Sequence, residues 1–176
     1  MDLKTVAVDD FCVRAHSLWA RQWLVLTSGD FAAGDYNAMT VGWGSFGTMW
    51  GKPFAQVVVR PSRYTFEFIE KYDTFTLCAL PADYRKALNQ LGSQSGRDGD
   101  KIAEAGLTPV AGLQAAAPGY AEAELIVECR KLYGDDFDSS KFIDPSIADS
   151  YSAGDYHRSY YGEILTVRAT DAYCCS

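Results

Sequence analysis

The stretch NAMTVGWGSFGTMWGKPFAQVVVRPSRYTFEFIEKYDTFTLCAL, residues 37–80, decides the fold class of this chain. Residues 54–60 and 74–80 are rich in β-branched and aromatic side chains, and a proline follows each run, so both are predicted strands. Between them, Ser62 offers an N-cap for a short helix over residues 64–72. The stretch therefore predicts two strands joined through one short helix.

The rest of the chain continues this pattern of short strands separated by tight turns. Residues 83–91 and 101–105 are predicted helices, and residues 135–161 form a long, polar, tyrosine-rich segment with at most one short helix. Further strands are predicted over residues 23–27, 37–43, 123–127 and 163–169. Strands outnumber helices and do not alternate regularly with them. This favours a mainly β fold, an antiparallel barrel or sandwich with attached helices, in a single domain over residues 1–176.

The composition excludes several classes of partner. The net charge of −7 argues against binding to nucleic acid or to an anionic membrane surface. No run approaches the ~20 apolar residues of a membrane span, and the N-terminal sequence MDLKTVAVDDF lacks the features of a secretory signal. The five cysteines, Cys12, Cys78, Cys129, Cys174 and Cys175, are scattered and include no C-x-x-C pair. We therefore predict a reduced, cytoplasmic protein in which Cys174 and Cys175 belong to the tail.

The glycines of the run GWGSFG, residues 42–47, match the G-x-G-x-x-G pattern of dinucleotide-binding turns. That pattern holds a pyrophosphate only where it opens a helix. The residues that follow, TMWGKP, contain Gly51 and Pro53 and do not continue as a helix. A Rossmann turn is therefore rejected. The glycines are assigned instead to a close approach between backbone and ligand, or to a simple turn of the chain.

Two polar clusters are candidates for a phosphate site. Residues 60–65, RPSRYT, place two arginines and two hydroxyls where a strand ends and a helix begins. Arginine side chains and unsatisfied helix amides suit a phosphate, but an N-capped helix with two surface arginines explains the cluster equally well. Residues 93–101, SQSGRDGDK, also precede a helix. There Asp98 and Asp100 favour a solvated loop with an aspartate N-cap.

Side chains suited to metal binding or nucleophilic catalysis are scarce. The sequence has two histidines, His16 and His157, and no carboxylates at ligand spacing around them. It also lacks the G-x-S-x-G motif of a serine nucleophile elbow. We therefore predict no metal site and name no catalytic residue.

Considered together, three runs resemble the flavin reductase-like family of FMN-binding split barrels, which includes flavoredoxin-type proteins. They are residues 37–80, then YRKALNQLGSQSGRDGDKI with AGLTP, and finally AGDYHRSYYGEI. The combination of N-x-M-T, W-G-K-P and V-R-P-x-R-x-T is specific, and the resemblance extends over residues 23–169. It implies a six-stranded Greek-key split β-barrel that forms a homodimer, with FMN bound at or near the subunit interface.

The resemblance also implies which residues contact the flavin. Residues 37–40 would line the edge of the isoalloxazine ring, and residues 43–47 would pass beside the ring and the ribityl chain. Residues 60–65 would hold the ribityl and phosphate end, with Lys101 as a weaker phosphate candidate. The residues assigned to FMN in this way are Asn37, Ala38, Met39, Thr40, Trp43, Ser45, Gly47, Arg60, Ser62, Arg63, Thr65 and Lys101.

The C-terminal motif departs from the family pattern G-D-H, whose histidine lies near the nicotinamide. Residues 154–157 read GDYH here, so His157 stands one place late. On a strand, a shift of one residue turns a side chain to the opposite face. This predicts that Tyr156 faces the nicotinamide and that His157 points away, and both residues are kept as nicotinamide-facing candidates.

Three functions are compatible with the resemblance. The first is hydride transfer from NAD(P)H to FMN, which would supply reduced flavin to a partner such as a flavin-dependent oxygenase. The second is a flavoredoxin-like electron carrier that keeps FMN tightly bound and exchanges electrons with a protein partner. The third is a non-catalytic FMN-binding module. In each case the polar segment 135–161 is a candidate lid over the flavin.

Overall fold

An open antiparallel sheet forms the body of the protein in a computed structural model, which describes residues 2–175. The strands are β1 (Lys4–Val6), β2 (Leu24–Asp30), β3 (Asp35–Val41), β4 (Gly44–Met49), β5 (Lys52–Val59), β6 (Thr74–Ala79), β7 (Pro109–Val110), β8 (Gly119–Tyr120), β9 (Leu125–Asp136) and β10 (Arg158–Ala169). The order in the sheet is β3-β2-β6-β9-β10-β5-β4, and β1 pairs with the end of β10. Strands β7 and β8 form a separate pair. Within residues 2–175 the end strands β3 and β4 share no ladder, so the sheet is not closed. The predicted mainly β, split-barrel fold is confirmed. The sheet has eight strands rather than the expected six, because β1 and the β4 hairpin strand add to it.

Short helices connect the strands. They are α1 (Ala15–Ser17), α2 (Tyr64–Lys71), α3 (Arg85–Ser93) and α4 (Lys101–Glu104), together with a π-helical turn (Leu18–Gln22) and 3-10 turns (Val8–Asp10, Ala82–Tyr84, Ser139–Lys141, Pro145–Tyr151 and Asp171–Tyr173). The three predicted helices are confirmed as α2, α3 and α4, but the predicted cap of α2 is wrong. Arg63 occupies the N-cap position, and the Ser62 hydroxyl donates instead to the Asp155 carboxylate. Over residues 2–175, none of these helices has the length and apolar character needed to cross a lipid bilayer.

The central part of the sheet is buried on both faces. Leu26, Phe75 and Val127 belong to the core on one face. Val25 and Leu91 belong to a second core, in which the opposite face of the sheet packs against α3 and α4. Because successive residues of a strand point to opposite faces, β2 supplies both cores and reads as a continuous apolar run.

The last two long strands extend beyond their predicted bounds. Strand β9 continues to Asp136 and β10 begins at Arg158, and these two residues pair directly. The prediction of an irregular segment over residues 135–161 is therefore too long at both ends. The sequence hides these strand ends because their side chains are largely polar and partly exposed. What remains between the strands is residues 137–157, called the excursion below.

The two ends of the described chain are joined covalently. A disulfide links Cys12 to Cys175 across a sequence separation of 163 residues. The prediction of fully reduced cysteines, with Cys175 in a free tail, is therefore wrong for this pair. The disulfide forms because the fold brings the N-terminal and C-terminal segments together, which the sequence pattern does not indicate. Cys78 and Cys129 are buried, as their apolar strands predict, and Cys174 is a free thiol.

Candidate functional site

A cleft of about 460 Å³ lies beside the ends of β3 and β5, on the open side of the sheet. The end of β3 and the residues after it form one wall, and β5 with the turn after it forms another. The lining residues are Met39, Thr40, Val41, Gly42, Trp43, Val58, Arg60, Ser62, Arg63 and His157. They combine apolar and aromatic side chains with two arginines and include no carboxylate. This composition suits a planar, partly apolar ligand that carries negative charge or acceptor oxygens.

A small cavity of about 80 Å³ adjoins the cleft and shares Met39, Ser62 and Arg63 with it. The residues that line it are Met39, Ser62, Arg63, Tyr64, Thr65, Ser93, Gln94, Ser95 and Lys101. Two cations and five hydroxyl-bearing side chains therefore line it, with no carboxylate among the lining residues. Charged donors and hydroxyls of this kind suit a phosphate group. The two polar clusters that the sequence offered as separate candidates contribute to one site.

Lys101 is a buried cation, only 5% exposed, at the wall of this cavity. Its ammonium group donates to the carbonyl oxygens of Leu91 at 3.2 Å and Gln94 at 3.0 Å. Burial, together with the nearby Arg63 guanidinium, lowers the pKa of Lys101 to about 8. A buried ammonium next to a second cation is costly unless a negative charge compensates it. A bound anion would supply that charge.

Asn37 and Thr65 are hydrogen-bonded to each other beside the cavity. The Asn37 amide donates to the Thr65 hydroxyl at 2.8 Å, and both side chains are buried, which ties β3 to the first turn of α2. Gly96 packs against this pair, where an added Cβ would clash with the side-chain oxygen Oδ1 of Asn37. Only a glycine permits this approach of the 93–101 loop to β3.

The other three residues of the N-x-M-T run differ in their placement. Ala38 is fully buried in the core beneath α3 and lines neither the cleft nor the small cavity, so its predicted contact with a flavin stays a prediction. Thr40 lines the cleft, and its hydroxyl donates to the carbonyl oxygen of Leu88 at 2.5 Å. Met39 lines both the cleft and the small cavity.

The two arginines of the V-R-P-x-R-x-T motif are directed to different partners. Arg63 lines both the cleft and the small cavity, and its guanidinium donates to the carbonyl oxygen of Gly92. Arg60 lines the cleft, and it donates to the carbonyl oxygens of Ser150 at 2.8 Å and Asp155 at 3.1 Å in the excursion. Of the two, Arg63 therefore lies at the small anion-suited cavity, and Arg60 anchors the excursion at the cleft wall.

Ser45 and Gly47 are not among the lining residues of the cleft. The Ser45 hydroxyl donates to Gln56 at 3.0 Å, and Gln56 in turn donates to Ser159 at 2.9 Å, which forms a polar ladder across β4, β5 and β10. A Cβ added at Gly47 would lie 3.0 Å from the ring of Phe54. These two positions shape the surface beside the cleft. Their predicted contact with a flavin stays a prediction.

His157 and Tyr156 are oriented opposite to the prediction. His157 lines the cleft and packs against Trp43, with their ring centroids 5.1 Å apart. Tyr156 packs instead against Tyr151 at 4.9 Å, within the excursion. The alternation argument is wrong here because residues 154–157 precede β10, which begins at Arg158. Burial, Arg60 and Arg63 lower the pKa of His157 to about 4, whereas Asp155 opposes them, so its imidazole is neutral near pH 7.

Several residues at the site were missed by the sequence analysis. Ser93, Gln94 and Ser95 line the small cavity, although their loop was interpreted as solvated. Asp155 lies inside the GDYH motif and accepts from Ser62, so a signal existed for it. No sequence motif marks Tyr151, because its contact with His157 depends on how residues 137–157 fold. Among residues 2–175 no group of three or more His, Cys, Asp or Glu side chains is arranged to hold a metal ion.

The family of the chain follows from a comparison with known protein families. The model described as "Flavin reductase like domain" matches residues 17–172, which is most of the chain. The protein therefore belongs to the flavin reductase-like family. No curated protein sequence matches it.

Solved structures share the fold at low sequence identity. An FMN-binding domain of a flavin reductases-like enzyme from Shewanella baltica is 18% identical, with a TM-score of 0.68 over 96% of this chain and 77% of that chain. Flavoredoxin of Desulfovibrio vulgaris is 20% identical, with a TM-score of 0.66 over 92% of this chain and 75% of that chain. An NADH:FAD oxidoreductase from Streptomyces globisporus is 19% identical, with a TM-score of 0.64 over 86% of this chain and 76% of that chain. These similarities establish the fold.

Proposed function

We propose that the chain binds FMN, with the isoalloxazine ring in the cleft and the phosphate in the small cavity. The observation that carries this proposal is the junction of the two spaces through Met39, Ser62 and Arg63. The apolar wall of the cleft suits a flat ring, and the carboxylate-free cavity with Arg63 and Lys101 suits a phosphate dianion. The FMN-binding function of the Shewanella baltica domain supports the same choice of cofactor.

The proposed activity is hydride transfer from NAD(P)H. When bound, FMN supplies the redox chemistry, and no acid or base from the protein is required for the hydride itself. The chain binds and orients the reactants and limits the access of water. Val58 and Trp43 offer apolar surface to a stacked ring, and neutral His157 offers one hydrogen-bonding edge without adding charge. The similarity to an NADH:FAD oxidoreductase supports this class of reaction.

An anaerobic titration of the FMN-loaded protein tests the activity. NADH and then NADPH are added, and the absorbance of oxidised flavin is followed. Stoichiometric bleaching within seconds is expected from a reductase, and the two traces give the preferred nicotinamide. If neither nicotinamide bleaches the flavin and dithionite still does, the reductase proposal is wrong. If the protein binds no flavin, the cofactor assignment itself is wrong.

An electron carrier is the second candidate, because the similarity to flavoredoxin is as strong as the similarity to the NADH:FAD oxidoreductase. A carrier would retain FMN and exchange electrons with a protein partner. The net charge of −7 favours a basic partner for this role. Retained FMN that dithionite reduces and nicotinamides do not reduce would favour the carrier over the reductase.

We propose further that the protein is a homodimer. Trp50 is 59% exposed and Tyr133 is 46% exposed, and both pack against the ring of Tyr161 at about 6 Å. Phe54 adjoins them and lies on the same face of β5 as Val58 of the cleft wall, since alternate strand residues share a face. Exposed aromatic clusters mark interaction surfaces, and a second copy on this one would adjoin the cleft.

Sedimentation equilibrium of the wild-type chain checks the dimer, with a particle of twice 19.4 kDa expected. Trp50→Ser is expected to weaken the association, because it removes the most exposed ring of the cluster. Leu113→Ser, another exposed apolar position outside the cluster, is the matched control. A monomer at every concentration contradicts the proposal.

The affinity for FMN is expected to fall as the pH rises above about 8. The free protein loses the Lys101 proton around that pH, and a bound phosphate dianion would favour the protonated lysine and raise its pKa. Binding therefore takes up a proton above pH 8, and each further pH unit costs at most about tenfold in affinity. Dissociation constants measured from pH 6.5 to 9.5 check this. In Lys101→Met the fall should disappear, and a wild-type affinity that is flat over this range contradicts the role of Lys101.

A further inference from the structure

The imidazole of His157 is held at one ring nitrogen. Its Nδ1 lies 2.8 Å from the hydroxyl oxygen of Tyr151, and the two rings meet edge to face with centroids 5.6 Å apart. The rings of Trp43 and Phe137 also lie beside the imidazole in tilted arrangements, with centroids 5.1 Å and 6.4 Å away. Since Nδ1 is engaged, Nε2 is the ring nitrogen left for a ligand in the cleft.

Tyr151 is itself held firmly, although it belongs to an irregular segment. Its side chain is buried, and the guanidinium of Arg60 lies 5.1 Å from its ring centroid. The ring of Phe142 stacks on it at 5.8 Å, and Arg60 also donates to the carbonyl oxygen of Ser150. The excursion is thus fastened to the cleft wall at the residue that contacts His157.

The surroundings of Tyr151 favour one direction for its hydrogen bond to His157. Burial raises the pKa of Tyr151, so this phenol keeps its proton near pH 7, while Arg60 and a hydrogen bond from the backbone of His157 act in the opposite sense. Within residues 2–175 the buried hydroxyl has no hydrogen-bond acceptor other than Nδ1 of His157, so its proton is available to that nitrogen. A neutral imidazole that accepts at Nδ1 carries its single proton at Nε2.

We propose that Tyr151 is a positioning residue that holds His157 in the Nε2-protonated form, so that the cleft presents one neutral N–H donor. Such a donor would recognise an acceptor oxygen, such as the carboxamide or carbonyl oxygen of a ring-shaped substrate. The choice of substrate rests on the proposed function. The protonation state of His157 does not, because it is a property of the protein without cofactor.

Nitrogen-15 NMR of the cofactor-free protein, labelled at histidine, tests the proposal. The chain has two histidines, so exposed His16 serves as an internal reference. We expect a pyrrole-type resonance for Nε2 of His157 and a hydrogen-bonded pyridine-type resonance for Nδ1. In Tyr151→Phe the Nδ1 resonance should move towards that of a free pyridine-type nitrogen, and the titration midpoint of His157 should rise. A proton on Nδ1 in the wild-type protein would overturn the proposal.

Tyr156→Phe is the matched control, because it removes a hydroxyl from the same aromatic cluster and leaves the hydrogen bond to His157 intact. Its His157 resonances should match those of the wild type. A shift in Tyr156→Phe equal to that in Tyr151→Phe would indicate general loosening of the excursion and contradict a specific role for Tyr151.

A kinetic arm separates this inference from the proposed function. In Tyr151→Phe, the Michaelis constant for the nicotinamide should rise about fivefold, the effect of one hydrogen bond, while the FMN affinity stays within about twofold of wild type. An unchanged Michaelis constant contradicts the positioning role during turnover. Failure of NAD(P)H to reduce the wild-type protein contradicts the reductase proposal alone, since the NMR result is obtained without flavin.

Discussion

FMN binding is expected to weaken by about 10²- to 10⁴-fold when Arg63→Ala and Lys101→Met are combined. Each side chain would give up one charge-assisted hydrogen bond to the phosphate, of about 1.5 to 3 kcal/mol. Both line the small cavity, which has no carboxylate among its lining residues, so their positive charge is not neutralised locally. Quenching of flavin fluorescence on titration with protein measures the loss.

Riboflavin provides the matched ligand for this experiment because it has the same ring system and no phosphate. The double variant should bind riboflavin about as well as the wild type does, and its FMN affinity should fall towards its riboflavin affinity. Lys86→Met removes an exposed lysine from α3 and is the control for net charge. Equal losses for both ligands would indicate a damaged cleft. An unchanged FMN affinity would exclude this cavity as the phosphate site.

The sequence offered both halves of this cavity as candidates but favoured a solvated loop for the second. The RPSRYT cluster pointed to a phosphate, but the SQSGRDGDK loop was interpreted as solvated because of its aspartates. In the structure Asp100 caps α4 by accepting from the amide of Ala103 at 3.0 Å, and Arg97 pairs with Glu67. Asp100 and Arg97 are thus engaged outside the cavity, while Ser93 and Ser95 line it. The number of charged residues in a loop does not reveal which way their side chains point.

The strand pattern was predictable where both faces of a strand are buried and obscure where one face is exposed. Strand β5 and strand β6 are apolar over most of their length, and their predicted bounds agree with the structure within two residues. The second half of β9 and the first half of β10 carry polar residues at the surface, and neither was predicted as a strand.

Two contacts at the site and at the chain ends could not be predicted from the sequence. The bond between Tyr151 and His157 depends on how the excursion folds back onto Arg60. The disulfide between Cys12 and Cys175 depends on the meeting of the two ends of the chain. Neither pairing has a spacing or periodicity that marks it, because both depend on the tertiary fold.

Glu128→Gln is expected to lower the free energy of unfolding by about 3 to 5 kcal/mol, the usual cost of breaking a buried ion pair. Glu128 is fully buried on β9, and its Oε1 accepts from the Leu113 amide at 2.9 Å and from Arg168 at 3.1 Å. Its Oε2 accepts from the amides of Gln114 at 2.7 Å and Ala115 at 2.9 Å. The carboxylate therefore fastens the loop before β8 to the sheet and balances the positive charge of Arg168. Thermal unfolding should show a melting temperature lower by roughly 10 °C.

The size of this effect follows from the chemistry of the amide that replaces the carboxylate. A glutamine side chain has one acceptor oxygen and one NH₂ group, so either orientation places N–H donors against two donors that need an acceptor. The neutral side chain also leaves Arg168 without its buried counter-charge. Glu122→Gln is the matched control, because Glu122 accepts a single exposed amide, that of Thr108 at 3.0 Å, and should cost less than about 1 kcal/mol. Equal stabilities of the two variants would show that the buried carboxylate is not what fastens this loop to the sheet.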